Sequence, residues 1–332
     1  MQSTGSKITV KKTLLLLTFL GVLVVLFGQI KLQTSLNQVV SSKPNETYVI
    51  DKGDNLYQVL EDLETKFGLH DTWWIRLNYI FEEAPVIKAG RYNIFQDTKL
   101  KDLIRSFENG EVQNFKLTVI EGTVAKNNLK KIEDLFQQVG IDEPIDEDLL
   151  KLFSAEALFP PDTYFFSTQR DLITVLENSR QNQDRYLQSL WPNKPSDNPL
   201  KSIDEVLVLA SIIERESLLV SEQSAIASVF LLRLQKGMRL QADPTSAYGY
   251  YGEYGDKIGR AVLDDENEFN TYRIKGLPPK PICYPSKGAI EAAIFSVPGE
   301  YLFFVAKGDG SHIFSKTYEE HNNAVKKYIY SK

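Results

Sequence analysis

Residues 206–220, VLVLASIIERESLLV, constrain this chain more than any other stretch. They read as a helix that is apolar nearly all round, and helices of that kind are buried. Yet the helix carries Glu214 and Glu216. Burying a carboxylate is costly unless it is paired or kept neutral. A carboxylic acid held neutral near pH 7 is the group a glycosidase uses as its general acid. On a helix, Glu214 shares a face with Leu207, Ala210, Ser211 and Leu218, and Glu216 lies about 200° away with Leu209, Ile212, Ile213 and Val220. Two such carboxylates cannot flank one cleft, so this dipeptide spacing is not a paired-carboxylate site. Either acid could instead be neutralised by Arg215, Arg233 or Arg239.

Upstream, residues 13–30 form an uncharged run, TLLLLTFLGVLVVLFGQI, with Lys7, Lys11 and Lys12 before it and Lys31 after. Roughly 20 apolar residues span a bilayer. The run is longer than a signal-peptide core and no small-residue cleavage pattern follows, so it reads as an uncleaved single-pass anchor. The lysines on its N-terminal side place the N-terminus in the cytoplasm and the rest of the chain outside the cytoplasmic membrane.

The remaining pattern is α+β. Residues 1–12 read as a cytoplasmic tail, 13–30 as the transmembrane helix and 31–46 as a polar tether. Residues 47–112 read as a small α/β module and 113–332 as a larger mixed α/β domain. In the module, strands at 48–50 and 90–95 alternate with helical periodicity over 55–67, 71–81 and 100–107. In the larger domain, Ser202 and Glu205 fit a capping box opening the central helix. Ser221 reads as a cap for a second helix that Gly237 ends. Residues 241–285 read as ordered loop or short elements, followed by a helix at 289–295, a strand at 301–306 and a closing helix at 317–328.

Other constellations are less pointed. The tyrosines 248, 250, 251 and 254 precede Phe269-Asn270-Thr271-Tyr272, a composition that suits sugar faces, although tyrosines also simply pack loops onto cores. The histidines 70, 312 and 321 are too few and too scattered for a metal site, so neither a metal nor a cofactor is expected. The lone Cys283 excludes an intrachain disulfide and reads as a packed apolar residue. A net charge of −6 gives no basic surface for nucleic acid. No nucleophile elbow or phosphate-binding loop occurs.

Four segments in order then resemble the YceG-like endolytic transglycosylases of bacterial cell walls: LASIIERES (209–217), ASVFLLRLQKGMRLQADPT (227–245), FNTYRIKGLPPKPICYPS (269–286) and YLFFVAKGDGSHIFSKTYEEHN (301–322). The KGDNLYQVL stretch at 52–60 is similar, more weakly, to the LysM-like subdomain of that family. The resemblance implies that the first acid of the A-S-I-x-E-x-E motif, Glu214, is catalytic. It implies a supporting role for Glu216, for Gln241, Asp243, Thr245 and Tyr248, for Asn270, Thr271 and Tyr272, and for His312. Leu231-Leu232 and Phe269 depart from the family's usual residues without touching the acid.

The implied reaction cuts the β-1,4 bond between N-acetylmuramic acid and N-acetylglucosamine inside a peptidoglycan strand and leaves a 1,6-anhydro end. The implied partner is the glycan strand; the apolar run adds the membrane, and the short tether suggests cleavage near the cell-wall synthases. A hydrolysing muramidase using Asp243 as its second carboxylate, and a non-catalytic glycan-binding scaffold, are the rival expectations.

Overall fold

Helix α1 (Thr4–Leu36) runs unbroken through the apolar segment. Its side chains from Leu14 to Phe27 and at Ile30 are exposed, and among the described residues it alone is long and apolar enough to cross a membrane. The computed structural model describes residues 4–41, 43, 46–139, 141, 143–217, 219–254 and 258–330. The chain divides into two units, Met1–Phe115 and Lys116–Lys332.

Part of the segment read as a tether, 31–46, packs within the first unit. The helix continues to Leu36, Ser35 and Val40 are buried, and Val39 bridges to Lys99. Val40 N–H donates to Thr98 at 2.8 Å, and Leu100 N–H donates to Gln38 at 2.9 Å. The polar composition hid an apolar pair, Val39-Val40, and a Gln38 side chain that bonds both backbone groups of His70. Positions 42, 44 and 45 lie outside the described residues.

Strand β1 (Glu46–Ile50) pairs antiparallel with β2 (Gly90–Ile94), in register from Glu46↔Ile94 to Ile50↔Gly90. Between them, α2 (Leu56–Phe67) starts at Asn55, which forms a capping box with Gln58. It buries Leu56, Val59, Leu60 and Leu63 on one face, and α3 (Trp73–Phe81) buries Ile75. After β2, α4 (Leu100–Asn109) adds Leu100, Leu103, Ile104 and Phe107 to the same core.

In the second unit, β3 (Phe115–Thr118) pairs with β4 (Thr163–Phe166), with α5 (Ala125–Gln138) and α6 (Glu147–Leu152) between them and the long α7 (Gln169–Leu190) after. The core is α8 (Ile203–Glu216), buried all round as its composition requires. It packs against α9 (Val220–Gln235) and α12 (Lys287–Phe295). Small residues on α12, Ala289, Ala292 and Ala293, let the helices approach closely. Two expectations change here. The central helix does not run to Val220: Ser217 is extended (φ −142°, ψ 126°), so Glu216 is its last residue. Ser221 lies inside the first turn of α9, which begins after Leu219 without a side-chain cap.

Buried Asn198 ties the loop before α8 to the end of α12, its amide donating to the carbonyls of Ala293, Ile294 and Ser296 at 2.9–3.1 Å. Those are helix-terminal carbonyls that lack intrahelical partners. Asn198→Ala is expected to cost roughly 1–3 kcal/mol by stranding them, read as a lower thermal midpoint.

The segment expected as loop or short elements contains two short helices, α10 (Asp243–Tyr251) and α11 (Arg260–Asp264). The chain ends in the antiparallel hairpin of β5 (Phe303–Ala306) and β6 (His312–Ser315), then α13 (Tyr318–Val325), opened by a Thr317/Glu320 capping box. The second strand of that hairpin has no counterpart in the sequence expectation.

Candidate active site

The end of α8 opens onto a cavity of about 540 Å³ in the second unit. Its polar lining is Glu216, Arg233, Gln241, Asp243, Tyr272 and His312, and Phe303, Phe304 and Tyr318 supply apolar surface. Each polar group is held by a traceable device. Arg233 projects from α9 and donates to the carbonyls of Leu302 (2.7 Å), Leu240 (2.8 Å) and Arg239 (3.3 Å) and to Gln241 Oε1 (3.3 Å). Its guanidinium therefore ties the hairpin and the 239–241 segment together. Gln241 adopts a left-handed backbone (φ 52°), which turns the chain into α10. Asp243 opens α10 and accepts from the Tyr272 hydroxyl at 2.7 Å. His312 is anchored to Glu222 of α9, through its backbone N–H at 3.1 Å and its ring Nδ1 at 2.7 Å. Burial opposes charge on Glu222, but those bonds from His312 outweigh it and hold the carboxyl below its ordinary range.

Glu216 is the electrostatic centre of the cavity. Desolvation first, and the Asp243 charge second, push its carboxyl up to about 8, against the opposing pull of Arg233 and Arg215. Its place at the negative end of the α8 dipole disfavours charge in the same direction. The group is half-buried, open to the cavity yet largely out of water.

Glu214 is placed differently. It is buried, it does not line this cavity, and its carboxylate accepts from the Ser286 N–H at 3.0 Å, just before α12. The neighbouring Arg215 neutralises neither acid through a close ion pair: its guanidinium stacks 3.6 Å from the Tyr254 ring centroid and donates to Gly122 O. Gly122 is left-handed (φ 74°), and a Cβ there would come within 3.3 Å of the Arg215 guanidinium.

The remaining expected residues divide by role. Gln241, Asp243, Tyr272 and His312 reach the cavity. Thr245, Asn270 and Thr271 are wholly buried behind it. Thr271 Oγ1 accepts from Ala242 N–H (2.9 Å) and lies 2.8 Å from Thr245 Oγ1. Asn270 donates to the carbonyls of Val262, Leu263 and Asp265 and accepts from Ser246 Oγ and Tyr272 N–H. Tyr248 is not a lining residue of this cavity: its hydroxyl donates to Glu156 (3.1 Å) and its ring packs edge-on against Phe269.

Sequence reasoning missed Glu222, His321 and Glu156. Glu222 is found only through the α9–hairpin contact, and His321 lines the cavity stacked on Phe303. Glu156 is buried and pushed up to about 7 by desolvation, against hydrogen bonds from Ala125 N–H and Tyr248. Nothing in its local sequence marks it. Cys283 is buried with its thiol donating to Ser211 O, as a packed residue should be. Among the described residues, no three His, Cys, Asp or Glu side chains are grouped so as to hold a metal ion.

A half-buried, proton-retaining carboxyl in a cleft of this size, flanked by hydrogen-bonding and aromatic groups, is suited to donating a proton to a polar polymer threaded past it. Known proteins are similar to this chain in sequence. An endolytic murein transglycosylase of Bacillus subtilis is 29% identical over 281 residues, 76% of each chain. A protein of the same name from Streptococcus pneumoniae is 25% identical over 336 residues, and the chain spans 60% of that relative's length. The crystal structure of a yceG-like protein from Listeria monocytogenes matches with a TM-score of 0.50 and 25% identity, covering 85% of this chain and 99% of that one. The YceG-like family model matches residues 48–327, which takes in both the α1-proximal unit and the cavity, and the chain therefore belongs to the YceG-like family.

Proposed function

We propose that the chain is a peptidoglycan lytic transglycosylase, cutting glycan strands internally as its relatives' names describe. The observation that carries the reading is the cavity-facing carboxyl of Glu216, kept protonated near neutrality. The geometry favours Glu216 over Glu214 as the acid, because Glu214 faces away and is engaged by Ser286. Neutral Glu216 protonates the departing glycosidic oxygen. The resulting carboxylate then takes the proton of the muramic acid 6-hydroxyl as that oxygen attacks C1. One group serves as acid and then base, so neither activated water nor a protein nucleophile is needed. Arg233 and the Tyr272 hydroxyl contribute fixed dipoles and charge around the reacting sugar.

Asp243 lines the same cavity, and a hydrolysing muramidase would rest on it. Mass spectrometry of glycan digested by the full chain separates the two readings. Ends lighter by one water support the intramolecular attack; reducing ends would overturn it.

Around this centre we place the rest of the chain as follows. Helix α1 anchors it in the cytoplasmic membrane with the N-terminus inside. The unit around β1–β2 acts as a LysM-like glycan-holding module (47–112), and residues 113–332 form the catalytic domain. That arrangement keeps cleavage close to the membrane, where new strands are made by cell-wall synthases.

A further inference from the structure

The first unit carries an apolar surface that its own core does not use. Helix α3 buries Ile75 and leaves Tyr79 partly buried against the module core. At 3.6 residues per turn, Ile80, Trp73, Leu77, Phe81 and Trp74 fall within about 120° of arc on the other side. Trp73 is 49% exposed, Ile80 70% and Phe81 82%, and Val86 just beyond the helix is 82% exposed. A contiguous patch of large apolar side chains on a folded unit marks an interaction surface.

The partner is indicated by where the patch lies. One edge of it, Trp74, packs on α1: its ring meets Phe27 edge-on with centroids 6.0 Å apart, and a Cβ at Gly28 would sit 3.6 Å from it. Phe27 and Gly28 belong to the last turn of the apolar run, so Trp74 stands at the depth where the hydrocarbon of a bilayer ends. Trp73 stacks on Trp74 with centroids 4.0 Å apart and continues the patch outward from α1. The start of α3 is clamped to α1 by Lys31–Asp71 (3.3 Å) and by Ser35 Oγ donating to Asp71 O (3.1 Å), so the patch cannot swing away from the membrane-crossing helix. Tryptophan and tyrosine gather at the membrane–water interface, where an amphipathic ring meets both media. An amphipathic helix of this kind lies in the interface plane with its apolar face among the acyl-chain ends.

We infer that α3 is a second, monotopic membrane contact: Trp73, Ile80 and Phe81 insert into the outer surface of the bilayer that α1 crosses, seating the first unit directly on the lipid. The inference rests on the reading of α1 as a membrane anchor. It assigns Trp73-Trp74 to an interfacial belt and makes the unit's standoff from the bilayer short and fixed.

The test uses the full chain in phosphatidylethanolamine–phosphatidylglycerol vesicles. With three tryptophans in the sequence, W74F/W191F leaves Trp73 as the sole probe. Lipids brominated near the headgroup end of the acyl chains are expected to quench about half of the Trp73 emission, which should also be blue-shifted. Adding I80E/F81E, both at exposed positions, should restore most of that emission while circular dichroism and vesicle flotation stay unchanged. Flotation with unquenched, water-like Trp73 emission overturns the α3 contact alone. Blue-shifted but unquenched emission overturns it too, by placing protein rather than lipid on the patch. A chain that fails to float overturns the anchor reading and this inference together.

Discussion

Glu216→Gln is expected to abolish glycan cleavage while the fold is kept. The amide has the size and hydrogen-bonding shape of the neutral acid but cannot donate the proton, and loss of general acid–base catalysis of this kind is worth ~10²–10⁴-fold in rate. Glu214→Gln is the matched control. Its remaining oxygen still accepts from Ser286 N–H, so cleavage should fall by less than about tenfold. Equal losses in both variants, measured on defined glycan strands, would remove the distinction drawn between the two acids.

The same carboxyl sets the pH dependence. Because its folded-state value is raised to about 8, the competent, protonated form predominates below that pH. The rate should decline by about tenfold per pH unit above it. Stability follows the same proton. A carboxyl that holds its proton more tightly when folded contributes stability that is fully present below the unfolded value near 4.5 and is lost as pH rises through about 8. Wild type should therefore lose stability relative to Glu216→Gln between those limits, and thermal melts of the pair at pH 5 and pH 8.5 measure it. A gap that does not change with pH would contradict the raised value.

Asn270→Ala carries the largest expected stability effect. The wholly buried side chain serves three carbonyls, the Ser246 hydroxyl and the Tyr272 N–H. Alanine strands all of them at once, at a cost of ~3–5 kcal/mol. For a unit of this size that lowers the melting temperature by roughly 10 °C. Tyr272 loses its backbone anchor and with it the fixed bond to Asp243, so cleavage should weaken even where the protein remains folded. Calorimetry and single-turnover cleavage well below the melting point read the two effects separately. A melting point unchanged from wild type would mean that the network is not what holds this loop.

Local sequence made some of the molecule plain. The apolar run became α1, Ser202 capped α8 as its type prefers, and the all-round apolar helix was buried in the core. These features depend on residues a few positions apart, where side-chain chemistry and period act directly. The order in residues 35–40 and the role of Glu222 were not legible, because each is satisfied by partners far along the chain: Glu222 bonds a residue 90 positions away, and Val39 bridges to Lys99.

The two glutamates divide what each level can tell. The sequence determined that two acids sit on opposite faces of one buried helix, since their separation follows from the helical repeat alone. Their different surroundings arise only in the tertiary structure, and the choice of Glu216 proposed above rests on them. The extended Ser217 ends α8 at Glu216 and lets that residue open onto the cavity beside Asp243 and Arg233, while α12 brings the Ser286 N–H against Glu214. The raised value at Glu216 depends on burial and on charges brought from α9 and α10, and no local pattern encodes their distances.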